Sequence, residues 1–215
     1  MNDTAAARIA VVDDDQALRD SLAWLLESVG LACCAFADGE AFLAADIGCF
    51  DVVLLDVRMP GISGLQVQQQ LRDRGVTLPV IVMTGHGDVP MAVTALKTGA
   101  FDFIEKPFNH QQLLDTVQQA LNEHQHERER QSRLARLEAR YRALRPKEKQ
   151  IVVHIGEGLT SREIAERIGV SHKTVEVYRL RAMKTMGAAN LAELVRQAVV
   201  LQLVDPVSGV STAAE

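Results

Sequence analysis

Through residue 124 this chain alternates short apolar runs with amphipathic stretches, and no other feature narrows its possible folds so far. Runs at 9–12, 31–36, 51–55, 79–83 and 101–104 read as strands, and four of the five are nearly all apolar. That suits strands buried on both faces of a sheet. Between them, the spacing predicts helices over 15–29, 38–45, 63–74 and 89–97, with a fifth beginning near Asn109. Five strands alternating with five helices make a parallel sheet covered on both sides and joined by right-handed crossovers. The expected class is α/β, a flavodoxin-like (βα)5 domain with strand order 2-1-3-4-5.

The rest of the chain reads differently. From Gln111 to Leu144 there is neither Gly nor Pro, which predicts one continuous helix leaving the first domain rather than a flexible linker. Along it Leu134, Leu137, Tyr141 and Leu144 form a seam that either pairs two chains or rests on a neighbouring domain. Beyond Pro146 four helices are expected. They cover 147–157 closed by Gly158, 161–168 closed by Gly169, a third from Ser171 to about Met186 stopped by Gly187, and a fourth from Asn190 to about Val204. The small, polar tail 205–215 is expected to be disordered. The division that follows is an α/β domain at 1–124, a helical linker at 125–143, an all-α four-helix domain at 144–204, and the tail.

Charge divides along the same line. Residues 1–124 carry 17 Asp and Glu against 7 Lys and Arg, while 125–215 carry 11 against 16. An acidic half joined to a basic half predicts a cation as partner for the first and a polyanion for the second. At 47% hydrophobic and 24% charged residues, collagen-like and largely disordered chains are excluded. No apolar run approaches the ~20 residues needed to cross a bilayer, and the first residues lack a signal peptide's apolar core, so no membrane association is expected. Cys33, Cys34 and Cys49 lack metal-ligand spacing and read as reduced core residues of a cytoplasmic protein.

Ligands of doubly wound sheets bind beyond the carboxyl ends of the strands, and polar residues gather there. Strand 1 runs into Asp13, Asp14 and Asp15, strand 3 into Asp56, strand 4 into Thr84, and strand 5 into Lys106 before Pro107. Carboxylates forced together repel unless a cation lies between them. Two carboxylates plus waters is the arrangement that Mg²⁺ prefers. Such an ion neutralises both an incoming phosphoryl group and Asp56, letting a carboxylate nucleophile form an aspartyl phosphate. Lys106 then pairs with a phosphoryl oxygen, and Thr84 donates it a hydrogen bond.

The motifs VVDDD (11–15), LLDVRMPGISG (54–64), VMTGHGD (82–88) and FDFIEKPF (101–108) resemble those of the receiver domain of two-component response regulators, over residues 8–124. The resemblance implies that Asp56 is the phosphoacceptor and that Asp14 and Asp56 ligate Mg²⁺. It adds the backbone carbonyl of Arg58 as a further ligand, with Asp13 acting through water. Thr84 and Lys106 become the phosphoryl sensors, Phe103 the switch aromatic whose rotamer follows Thr84, and the Lys106–Pro107 peptide is cis. The pair Asp13 and Asp15 also resembles the nucleophile motif of haloacid-dehalogenase-type phosphatases. Gln16 and Ala17 depart from that pattern, and it leaves Asp56 and the C-terminal half without a role.

In the C-terminal part, two short helices joined near Gly169 and Val170, the second capped by Ser171, spell a helix-turn-helix. On the second helix Val175, Arg179, Ala182, Met183 and Met186 share one side and are expected to face the domain core, with Arg179 at its edge. Lys173, Glu176, Val177, Leu180, Arg181 and Lys184 share the other, whose cations suit DNA phosphates. Near the helix start Glu176 is placed to accept from cytosine N4 and Val177 to touch a thymine methyl. Thr174 and Tyr178 complete the expected DNA-facing set. Within 144–204, LRPKEKQIV, EGLTSREIAERIGVSHKTVEVYRLRAMKTMG and LAELVRQAV resemble the LuxR-type output domain. That family usually has Thr where this chain has Arg145, which removes an N-cap. It usually has His where this chain has Tyr178, which is still long enough to reach a phosphate.

Receiver plus LuxR-type output resembles the NarL/FixJ response regulators, and GHGDVPMAV (85–93) with FIEKPF (103–108) leans toward the FixJ branch. The resemblance implies a bacterial cytoplasmic transcription factor that is not an enzyme, and, since FixJ-type regulators are mostly activators, a transcriptional activator. Its expected partners are a sensor histidine kinase, a double-stranded DNA operator and RNA polymerase. On phosphorylation it is expected to form a homodimer through the face of helix 4 and strand 5, about 89–103. The alternatives are a DNA-binding regulator whose receiver ignores phosphate, and a Mg²⁺-dependent phosphatase with Asp13 as nucleophile.

Overall fold

The chain divides into two compact units, residues 1–127 and 128–215, and the computed structural model describes residues 6–85 and 89–204. The expected disordered tail lies outside the described residues, as do residues 86–88 of the GHGDVPMAV run. In the first unit the order is β1 (Arg8–Val12), α1 (Gln16–Ser28), β2 (Ala32–Phe36), α2 (Gly39–Ala44), β3 (Val52–Asp56) and α3 (Gly64–Asp73). There follow β4 (Val80–Thr84), α4 (Val89–Lys97), β5 (Asp102–Glu105) and the start of α5 (His110–Arg142). All strands are parallel, in the order β2-β1-β3-β4-β5.

Alternate residues of a strand point to opposite faces of its sheet, and here both faces are apolar. Val12, Leu55 and Val82 pack in one core with Phe42 of α2, Val67 of α3 and Ala95 of α4. Val11, Leu54 and Met83 pack in the other with Leu22 of α1 and Leu113 and Val117 of α5. Each fully enclosed aliphatic side chain contributes about 1.5–3 kcal/mol. The two layers hold the carboxyl ends of the strands at fixed heights. Cys33, Cys34 and Cys49 are unpaired thiols, but they are half-buried rather than core residues. For the first two the cause is that β2 is an edge strand with one neighbour. Burial still pushes the Cys33 thiol up to about 11.

In the second unit the last turns of α5 are followed by α6 (Pro146–Gly156), α7 (Ser161–Ile168), α8 (His172–Met186) and α9 (Leu191–Val200). Leu144, Ile151, Ile164, Val175, Ala182, Met186 and Leu194 form its core. Leu137 and Tyr141 pack against that core, so most of the α5 seam rests within this unit, while Leu134 stays 38% exposed. Arg145 indeed gives α6 no side-chain cap. The Glu148 carboxylate supplies half of one, accepting from the Arg145 N–H at 3.0 Å. The last helix ends at Val200, four residues before the expected end. Gln202 adopts a left-handed conformation (φ 54°), and the chain turns back so that Val204 packs onto Gly156.

Candidate functional site

The register of β1 and β3 pairs Val12 with Leu55, and one step further it sets Asp13 beside Asp56. Here β1 leads to a strand on one side and β3 to a strand on the other, the kind of switch point at which such sheets bind ligands. Asp13 is 0% exposed and Asp56 6%. Like charges this close need a cation, and Lys106 provides it. Its Nζ lies 2.6 Å from Asp13 Oδ2 and 2.6 Å from Asp56 Oδ1. The remaining oxygens accept from the main chain, Asp13 Oδ1 from Asp15 N–H at 2.9 Å and Asp56 Oδ2 from Arg58 N–H at 2.8 Å. Lys106 is brought in by β5, its N–H donating to the Thr84 carbonyl at 2.6 Å, and the Lys106–Pro107 peptide is cis.

Burial pushes the Asp56 carboxyl above its ordinary range. Asp13 adds to that push, while Lys106 and the Arg58 amide pull partly back. For Lys106 burial works against the ammonium, but the two carboxylates outweigh it and hold its pKa above that of an ordinary lysine. At the start of α3, Gly64 passes so close to β3 that a Cβ there would collide with the Asp56 carbonyl oxygen.

Thr84 is 2% exposed, and its hydroxyl donates to the Gly85 carbonyl at 3.3 Å. Val82 pairs with Phe103 in the β4–β5 register, and both pack in the same core. Two residues on, Thr84 shares that face, so Thr84 and Phe103 lie on the same side of the sheet.

Asp14 is exposed and stands outside the Lys106 bridge. Among the described residues, no three Asp, Glu, His or Cys side chains gather as a metal centre. The meeting of Asp13 and Asp56 still fits Mg²⁺, which takes one or two carboxylates and keeps several waters. The donors are all oxygen, and two carboxylates around one ammonium leave a negative charge uncompensated.

In the second unit α7 and α8 form the helix-turn-helix. Ser171 caps α8 by accepting from Thr174 N–H, and the Thr174 hydroxyl lies 2.8 Å from that of Ser171. Val175, Ala182 and Met186 are buried, with Met183 packed beside them. Lys173, Val177, Leu180, Arg181 and Lys184 are exposed, Leu180 at 62%. Two members of the expected DNA-facing set are held inward. Tyr178 packs against the domain core. Glu176 accepts from the Ser161 hydroxyl at 2.6 Å and pairs with Arg179 at 2.7 Å, tying α7 to α8.

Sequence reasoning passes over Ser161, whose contact spans fifteen residues, and over Arg19. Helical spacing from Leu22 and Leu26 puts Arg19 on the buried face of α1, and a cation in that register is the signal that would have found it.

Residues 9–118 match the response regulator receiver domain, and residues 142–198 match the bacterial regulatory proteins of the LuxR family. The transcriptional regulatory protein FixJ of Azorhizobium caulinodans is 45% identical over 195 residues, covering 89% of this chain and 91% of its own. The C4-dicarboxylate transport transcriptional regulatory protein DctR of Rhodobacter capsulatus is 45% identical over 195 residues, covering 87% and 97%. Among solved structures, the response regulator StyR superposes with a TM-score of 0.82 at 35% identity, covering 91% of this chain and 99% of its own.

Proposed function

The chain belongs to the FixJ-like two-component response regulators, transcriptional regulators with a receiver and a LuxR-type DNA-binding domain, and we propose that it is switched by Mg²⁺-dependent phosphorylation of Asp56. The observation that carries this reading is the Lys106 bridge, which joins the ends of β1, β3 and β5 at a buried, net negative point. A sensor histidine kinase is the donor. An oxygen of Asp56 bonds to phosphorus as the N–P bond of the phosphohistidine breaks, and the leaving imidazole keeps the electron pair.

Asp56, Asp14 and the Arg58 carbonyl would hold Mg²⁺, with Asp13 acting through water, and the ion would supply charge neutralisation. Lys106 turns from Asp13 to a phosphoryl oxygen, Thr84 donates to another, and Phe103 moves into the space left by Thr84. The phosphorylated chain favours a conformation that already exists as a minor population. It pairs through the face of α4 and β5, where Val93 and Leu96 are exposed apolar residues at 44% and 40%. Two output domains then meet the half-sites of a DNA operator, with α8 in the major groove. Lys173, Arg181 and Lys184 contact phosphates, Val177 and Leu180 lie against base edges, and Thr174 completes the set, while Glu176 stays with Ser161 and Arg179 and Tyr178 with the domain core. The protein acts in the cytoplasm, as an activator working with RNA polymerase, and catalyses no turnover of its own.

The receiver match over residues 9–118 and the LuxR-family match over 142–198 weigh against a phosphatase with Asp13 as nucleophile. Incubation with an acyl phosphate and Mg²⁺, followed by selection of DNA fragments, tests the proposal. One acid-labile phosphate per chain, absent in Asp56→Asn, and tighter operator binding are expected. DNA binding without phosphate uptake would leave a receiver that no longer signals. Steady phosphate release abolished by Asp13→Asn would mean an enzyme.

A further inference from the structure

A cation in the first turns of a helix opposes the helix dipole, and a buried guanidinium gives up its hydration as well. Arg19 accepts both penalties. It is the fourth residue of α1 and 8% exposed. Its Nη1 donates to the main-chain carbonyl of Asp13 at 2.5 Å, and its Nη2 to Gln16 Oε1 at 3.2 Å. Among the described residues no carboxylate pairs with it directly. The negative charge that offsets it is that of the Asp13–Asp15 turn at the mouth of the same helix.

Asp13 is thereby held at every polar atom. Its N–H donates to the Phe36 carbonyl at 3.1 Å. Its carbonyl accepts from Arg19, and its two carboxylate oxygens accept from Asp15 N–H and Lys106. The carbonyl bond decides the orientation of the peptide plane that leads into Asp14. A guanidinium donates in a fixed fork, whereas an ammonium is a point charge that reaches one acceptor without fixing its plane.

We infer that Arg19 is a positioning residue of the phosphoacceptor site, aiming Asp13 and Asp14 by holding the Asp13 carbonyl from beneath. This rests on Asp56 being the phosphoacceptor, which the wild-type chain tests by itself: phosphate uptake lost in Asp56→Asn upholds that reading, and no uptake by wild type ends it.

The experiment uses the full chain as wild type, Arg19→Met and Arg19→Lys, at a temperature where circular dichroism finds all three folded. Phosphorylation by a saturating acyl phosphate at saturating Mg²⁺ is timed. Mg²⁺ affinity is measured calorimetrically on the unphosphorylated chains. Phosphorylation is expected to slow ~10–100-fold in Arg19→Met, the scale of a misplaced reacting group. Arg19→Lys, with charge kept and fork lost, is expected to remain well below wild type and to bind Mg²⁺ several-fold more weakly. If Arg19→Lys matches wild type in both measurements, the charge alone is what matters and the inference fails. It fails equally if both variants only melt earlier while rate and affinity per folded molecule are unchanged.

Discussion

Although fifty residues separate them in the chain, Lys106 Nζ lies 2.6 Å from Asp56 Oδ1, and the same ammonium holds Asp13. Two buried carboxylates share one cation, so burial leaves Asp56 with a proton affinity above that of the unfolded chain. A raised folded pKa contributes stability below the unfolded pKa and loses it as the pH climbs through the folded one. At neutral pH the ionised Asp56 carboxylate therefore costs stability. Asp56→Asn keeps the shape and removes the charge. It is expected to melt ~2–5 °C higher at pH 7, the shift that about 1 kcal/mol produces in domains of this size. The gain should shrink toward zero near pH 4, where the unfolded carboxyl protonates. Thermal melts of both proteins across pH 3.5–8 check this. A variant that melts lower at pH 7 would mean that the lost Lys106 pairing outweighs the relief of burial.

The charge left over at the site gives the second expectation. A cation bound only by the folded receiver stabilises it by about 1.4 kcal/mol at ten times its dissociation constant, and a chelator reverses the gain. Asp14 is the discriminating residue, being exposed and outside the Lys106 bridge. Asp14→Asn should leave the metal-free melt where it is and remove most of the Mg²⁺-dependent rise. Should Mg²⁺ raise the melt of wild type and Asp14→Asn equally, Asp14 is not a ligand.

The sheet was legible because its signals are local. An apolar run at 51–55 needs cover on both faces, and the alternation with amphipathic stretches leaves few topologies to choose from. That Asp13, Asp56 and Lys106 meet also followed from topology, since each ends a strand on the same edge of the sheet. What the sequence concealed depends on contacts between elements. Nothing near Glu176 announces that Ser161, fifteen residues earlier, will hold it inward. Helical periodicity alone put Glu176 on the outward face, because a period describes one helix and not the neighbour packed against it. The end of α9 was misjudged for a similar reason. Leu201, Gln202 and Leu203 suit a helix, but the packing of Val204 on Gly156 favours a reversal.

Close approach at Gly64 gives a third expectation. A Cβ at this position would overlap the Asp56 carbonyl oxygen and press on Val57 Cα at 3.1 Å, both of them main-chain atoms that cannot turn aside. Overpacking of this kind costs about 1–3 kcal/mol. Relief requires moving either the start of α3 or the strand end that carries Asp56, and the second displaces the phosphoacceptor. Gly64→Ala is thus expected to lower stability by that amount and to slow phosphorylation of the molecules that remain folded. Denaturant melts and a timed phosphodonor reaction read the two effects separately. A variant with lowered stability and an unchanged rate would show that α3 yields instead of β3.

The output domain allows the roles of two residues on one helix to be separated. Lys184 is exposed on α8 with no carboxylate among its hydrogen-bond or ion-pair partners in the described residues. Glu176, by contrast, spends both oxygens on Ser161 and Arg179, and the Arg179 Nε is already a buried donor without a partner. Removing Glu176 leaves that guanidinium with less compensation. Glu176→Ala is expected to destabilise the helix-turn-helix by about 1–3 kcal/mol, the cost of leaving a buried polar group without its partner, and to leave the preferred operator sequence unchanged. Lys184→Ala should leave the melt in place and weaken binding to all DNA sequences alike. It should also reduce the slope of log affinity against log salt by about 1, as for one lost phosphate contact. Melts, fragment selection and salt titrations on the two variants decide the matter. A change of preference at a single base pair in Glu176→Ala, worth about 1–3 kcal/mol, would mean that the carboxylate leaves Ser161 and Arg179 to read that base when DNA is bound.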